Sequence, residues 1–161
     1  MTRVLVADET WIATALLHRE QPHRSDFTVG EIVQRAEQAQ AAGEGRLRPG
    51  VKVHAYEHCV ANKPPSPGRY RMLVETAKGR RRLFRPGDPC HAERRSGKDV
   101  PREDEIPPAY QGLLAWYRTE YAGRGGQRET DPILALSGTG KAIWTDEDAD
   151  AYVERLREGW R

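Results

Sequence analysis

A chain of 161 residues with 31% charged and 37% hydrophobic side chains has material for one modest core under a strongly solvated surface. It holds no apolar run near the roughly 20 residues that span a bilayer, and MTRVLVADETW has no basic region followed by an apolar one, so neither a membrane protein nor a secreted one is expected. Two isolated cysteines, Cys59 and Cys90, form no CxxC pair and no disulfide framework, which makes a reducing cytoplasm the expected compartment.

The net charge of +2 hides a segregation. Met1–Gly45 carries a balance of −3, Arg46–Arg102 carries +10 and Glu103–Arg161 carries −5. A basic middle between acidic flanks suits a site that binds a polyanion by displacing its counterions.

Val4-Leu5-Val6 is a short apolar run that fits a strand or a packed extension. Asp8 is the expected cap of a first helix ending near Glu20, with Ile12, Ala15 and Leu16 on one face. Thr28-Val29-Gly30-Glu31 has capping-box spacing, and Phe27 stands where a hydrophobic staple belongs. The second helix then runs through Ile32, Val33, Ala36 and Ala39, and AAGEGRLRP breaks the chain before a third.

In that third helix Val51, Ala55 and Cys59 share a face, until Pro64, Pro65 and Pro67 end it. Tyr70–Val74 alternates as a strand does, Ala77-Lys78-Gly79-Arg80 is a turn signal, and Arg81–Arg85 is the expected return strand. The order helix, connection, basic hairpin is the DNA-reading half of a winged helix. Lys52, His54, Tyr56 and His58 are the candidates facing the groove. Lys78, Arg80, Arg81 and Arg82 are the candidate wing cations, and Arg46 and Arg48 would clamp phosphate at the helix entrance.

Residues from Trp11 to about Tyr121 resemble winged helix-turn-helix domains, in particular an uncharacterised bacterial winged-helix family with the patterns DFTVGEIV, RPGV-x-V-H and HCVANKPPSPGRYR. The resemblance covers about two thirds of the chain. It implies a mainly α fold with a small β-hairpin, and binding to double-stranded DNA. A homodimer would suit a repressor, because two half-sites multiply affinity.

Pro86–Pro108 reads as a long polar loop in which Arg94, Arg95 and Lys98 either extend the basic surface or lie in mobile, solvated chain. Its length favours the second. Tyr110, Leu113, Leu114, Tyr117 and Tyr121 recur at helical spacing and are expected to pack back as core. The expected organisation is a winged-helix domain over 1–121, a flexible linker over 122–130 and a partner-binding tail over 131–161.

In the tail, Ile133, Leu134, Leu136, Ile143 and Trp144 flank a Ser-Gly-Thr-Gly turn, and Tyr152, Val153, Leu156 and Trp160 stripe a last helix. Such a segment needs a surface to cover its stripe. Asp131-Pro132, Leu136, Gly138, Gly140-Lys141, Ile143-Trp144 and Tyr152-Val153 through Trp160 resemble the C-terminal segments of antitoxins from bacterial toxin–antitoxin pairs. The resemblance implies wrapping of a small ribonuclease toxin and autorepression at a promoter. Two rival classes are a protein-interaction module and a DNA-recognition subunit of a restriction or defence system.

Catalysis is not expected. Ser137-Gly138-Thr139-Gly140-Lys141 fails as a phosphate loop, because Ala135 stands where the motif wants glycine and Ala142 where it wants a magnesium-binding hydroxyl. His54, His58, Cys59, Cys90 and His91 lack the paired CxxC or HExxH spacing of a zinc site, so no metal or other cofactor is expected. The acidic runs Glu103–Glu105 and Asp146–Asp148 suit helix starts and solvated surface better than a nuclease centre.

Overall fold

In the computed structural model, which describes residues 4–43 and 48–124, the first helix, α1, spans Val6–Glu20. Every residue from Ala7 to His18 is buried, so α1 is the element around which the described core is built. Its polar members are matched locally: Thr10 donates to the carbonyl of Val6 at 2.8 Å and Thr14 to that of Thr10 at 2.9 Å. The expected cap is displaced. Leu5 is the N-cap, and Asp8 is buried inside the first turn with Lys98 Nζ 2.7 Å from its carboxylate. That lysine draws Asp8 inward and away from the capping position.

Phe27–Thr28 forms a two-residue strand, β1, that leads straight into α2, Val29–Ala39. The capping box is present in both halves: Glu31 N donates to Thr28 Oγ1 at 3.2 Å, and Thr28 N donates to Glu31 Oε2 at 2.8 Å. Arg24 adds two hydrogen bonds to Glu31 and, with Thr28, holds that carboxyl down at about 2. Phe27 and Ile32, the staple positions, are both fully buried. Gln40, with φ 47°, ends the helix in the left-handed conformation.

The third helix, α3, is α-helical over Gly50–Val53 and continues as a π-turn over His54–His58. Two strands follow, β2 (Leu73–Ala77) and β3 (Arg80–Leu83), joined by a turn whose Gly79 has φ 74°. The sheet is antiparallel with order β1-β3-β2, and β2 and β3 pair from Leu73↔Leu83 to Ala77↔Arg80. The last helix, α4, spans Pro108–Trp116 and runs on through a π-turn over Tyr117–Tyr121. Leu113, Leu114, Tyr117 and Tyr121 enter the main core as expected, and Tyr110 donates to the carbonyl of Ala39 at 2.6 Å. The fold is thus mainly helical with a small three-stranded antiparallel sheet.

Because β1 is only two residues long, β3 outruns it and leaves Leu83 with no strand partner on that edge. Side chains close that edge. Leu83 N–H donates to His18 Nε2 at 3.3 Å, while Tyr121 Oη donates to the Leu83 carbonyl at 3.0 Å and Tyr117 Oη to that of Phe84 at 2.5 Å. His18 must stay neutral to accept that bond. Burial, with Arg85 and Arg82 nearby, pushes its pKa down to about 3 against the opposing pull of Asp26.

A base held neutral in this way supports the fold fully above its unfolded pKa of about 6.5 and loses that support as pH falls towards 3. His18 alone therefore costs about 2 kcal/mol between pH 7 and pH 5. His54, lowered to about 4 chiefly by burial, acts in the same sense. Urea titrations across that window should show the decline, and His18→Gln, which keeps an acceptor but no titrating ring, should shallow it by about half. An unchanged slope would remove His18 from this role.

Candidate nucleic-acid interface

The third helix is set by its inner face. Val51, Ala55 and Cys59 are fully buried at spacing four, and a Cβ on Gly50 would lie 3.2 Å from the Val6 side chain. The opposite face carries Lys52, Val53, Tyr56 and Glu57, all exposed, with Val53 and Tyr56 at 46% and 42%. The four candidates for a groove-facing set therefore divide. Lys52 and Tyr56 stand on the outer face. His54 and His58 are half-buried, their rings edge to face at 4.7 Å, with His54 tilted onto Tyr70 at 5.9 Å. Gly68 closes over His58, where a Cβ would lie 2.9 Å from that of the histidine.

The ribbon folds back against this helix, but not by the expected distribution of its cations. Lys78, at the turn, is exposed. Arg80 is tied to Asp26 by Nε at 2.7 Å and Nη2 at 2.6 Å, and Thr76 donates to the same carboxylate, holding Asp26 below the usual carboxylate range. Arg81 is completely buried. Its guanidinium donates to the carbonyls of Ala55 at 3.0 Å, Arg80 at 2.8 Å and Tyr56 at 3.2 Å, and pairs with Glu75 at 2.8 Å. Arg82 makes a two-pronged pair with Asp88 at 2.6 and 2.8 Å.

Three consecutive arginines thus serve three structural partners, and Arg81 in particular is corrected from wing cation to the bolt between β3 and the third helix. Arg48 is likewise engaged, with Nη2 2.6 Å from the buried Glu9 carboxylate. Arg46 and the tail residues Ile133–Trp160 lie outside the described residues.

The charge blocks close on each other through these pairs. Asp8, Glu9, Asp26 and Glu105, from the two acidic flanks, take Lys98, Arg48, Arg80 and again Lys98 from the basic middle. Lys63 and Arg81 share Glu75, and Arg71 faces Asp99. Among the described residues, the exposed cations of the middle block with no carboxylate within 4.0 Å are Lys52, Arg69, Lys78 and Arg95. Arg69 was not among the candidates; its place beside three prolines hides it in the sequence.

The segment after the ribbon also departs from expectation. It is threaded into the molecule by backbone bonds, His91 N to Ala61 O at 2.7 Å and Arg71 N to Lys98 O at 3.0 Å. Arg94 is wholly buried and spends all five of its N–H groups on carbonyls, among them Glu57 and His58 at the end of the third helix. Gly97 passes so close to the Arg69 carbonyl that a Cβ would lie 1.8 Å from its oxygen. Polar composition reflected a chain that buries one guanidinium rather than an apolar stripe.

His54 Nδ1 lies 3.5 Å from Cys59 Sγ, and burial pushes that thiol far up from its ordinary pKa. No group of three or more His, Cys, Asp or Glu side chains that could hold a metal ion occurs among the described residues. Nor is any helix among them long and apolar enough to cross a membrane.

Comparison of the chain with protein-family models, with curated proteins and with solved structures finds no match to any of them.

Proposed function

We propose that the chain is a DNA-binding regulator of the winged-helix type, reading duplex DNA with the outer face of the third helix and touching the backbone with the turn of the ribbon. The observation that carries this is the Arg81 bolt. By joining β3 to the carbonyls of Ala55 and Tyr56, it holds a two-stranded ribbon beside a helix whose outer face offers a cation, an aromatic ring and an apolar branch. The element order of helix, strand, helix, helix and two-stranded ribbon is the one this reading requires. The contact set is narrower than the sequence suggested: Lys52, Val53 and Tyr56 for base edges, with Lys78 and Arg69 for phosphates.

A salt titration of duplex binding tests it. Lys52→Ala and Lys78→Ala should each lower the dependence of log K on log salt by about 1, and the double variant by about 2, with folding unchanged. Wild-type protein that ignores duplex DNA at low salt, or a double variant with the parental slope, would defeat the proposal.

Docking onto a protein is the second reading. It is favoured by the internal pairing of most of the basic block and by the adjacent exposure of Val53 and Tyr56. Under either reading, the antitoxin likeness of Asp131–Arg161 supports a protein partner for the tail, with a small ribonuclease as its chemistry. The whole would then be an autorepressor of the toxin–antitoxin kind.

A further inference from the structure

On the far side of β3 from the Arg81 bolt lies a cleft of about 490 Å³, between the end of α1, the loop before β1 and the last helix. Its size is that of a small-molecule site. Trp116 and Tyr121 form an aromatic wall, their rings 5.6 Å apart. Four arginines line it: Arg19, Arg24, Arg82 and Arg85. Two are balanced, Arg24 by Glu31 and Arg82 by Asp88. Neither Arg19 nor Arg85 has a carboxylate within 4.0 Å among the described residues, and Glu120 is the only carboxylate in the lining.

Arg85 is the telling residue. Its guanidinium lies over the Tyr121 ring, 4.2 Å from the centroid, and its Nε is buried with no hydrogen-bond partner among the described residues. A buried guanidinium N–H without an acceptor costs free energy that an incoming oxygen would return. An unpaired buried donor beside an open cleft is accounted for if a ligand oxygen completes it. His18 stays neutral at the floor of the same cleft and leaves the positive charge of Arg85 to act on whatever enters.

We infer that this cleft binds a small anion carrying a planar ring, its carboxylate or phosphate received by Arg85 and its ring packed against Trp116 and Tyr121. Arg19 stands at the rim as a second charge for the same group. The site is independent of the DNA reading, because it needs neither Lys52 nor Lys78.

Titration calorimetry on the full chain, without DNA, tests it with two ring-bearing anions. Indole-3-carboxylate supplies a carboxylate and adenosine 5′-monophosphate a phosphate. Inorganic phosphate and neutral indole are the half-probes. At least one ring-bearing anion should saturate a single site and bind about tenfold or more tightly than either half-probe. Arg85→Gln should weaken that binding by about tenfold or more, the loss expected for a charge-assisted bond, while Arg85→Lys should recover part of it.

Should Arg85→Gln fold poorly, the perturbation of the Trp116 indole N–H resonance by ligand in the wild-type chain serves instead, and it should saturate with the same affinity. If neither ring-bearing anion binds better than its half-probe, or if Arg85→Gln binds as the parent does, the inference is overturned. Failure here would leave the salt titration of duplex binding untouched.

Discussion

Replacing Arg94 with methionine should lower stability by about 3–5 kcal/mol, the largest single-residue effect expected in the described chain. The reason is stoichiometric. Arg94 Nε donates to the carbonyl of Lys63 at 2.7 Å, Nη1 to those of His58 at 2.7 Å and Tyr70 at 2.6 Å, and Nη2 to those of Glu57 at 2.8 Å and Pro64 at 3.0 Å. Five donors meet five acceptors, so the guanidinium is saturated without any carboxylate.

Those carbonyls need an outside donor. Glu57 and His58 close a helix, where the last carbonyls are short of backbone donors: that of Glu57 receives a long bond from Val60 N, at 3.3 Å. Lys63 and Pro64 precede a run in which Pro65 and Pro67 supply no amide hydrogen. Methionine fills much of the volume but takes a charged donor away from all five carbonyls at once. Lysine, with three donors on one nitrogen, should recover less than half of the loss. Urea denaturation at pH 7 measures both variants. A methionine variant within about 1 kcal/mol of the parent would show that water or rearranged backbone takes over the role.

Local signals carried through where one short stretch decides one short structure. The Thr28–Glu31 capping box, the Val51–Ala55–Cys59 face and the turn at Gly79 each depend on residues within eight positions of each other, and all are present. Three features were not legible. β1 is two residues, too short to carry any periodicity. The π-turn over His54–His58 has no sequence signature, although helical spacing alone already sets His54 and His58 on the face away from Lys52 and Tyr56, where His54 tilts onto Tyr70. Leu5 rather than Asp8 caps α1, because the partner that draws Asp8 inward, Lys98, is ninety positions away in the sequence.

The charge blocks mislead for a related reason. A block average treats every cation as available to a ligand, whereas folding lets an acidic flank neutralise the basic middle before any partner arrives. Alternation in β3 held a better clue. Arg81 is two residues before Leu83, so a strand that buries Leu83 must also turn Arg81 inward, and only Arg80 and Arg82 can face the other way.

That geometry sets the second large effect. Arg81→Met should cost about 2–4 kcal/mol, because it removes a buried guanidinium from the carbonyls of Ala55 and Tyr56 and from Glu75. Glu75 keeps Lys63 at 2.5 Å, which holds the loss below that of a fully orphaned carboxylate. Arg82→Met should cost less, about 1–2 kcal/mol, since its two-pronged pair with Asp88 is partly solvated. Arg80→Met should cost about 1 kcal/mol or less, because 37% of its side chain is exposed.

The ranking matters for function. Neutralising all three arginines at once would unseat the ribbon, so a variant of that kind that failed to bind duplex DNA would not test the proposed role of the turn. Lys78→Ala is the informative change at the ribbon, because it removes a cation with no structural partner among the described residues. Chemical denaturation of the single variants checks the order, and equal losses for Arg81→Met and Arg80→Met would show that the ribbon is not bolted to the third helix in the way the hydrogen bonds require.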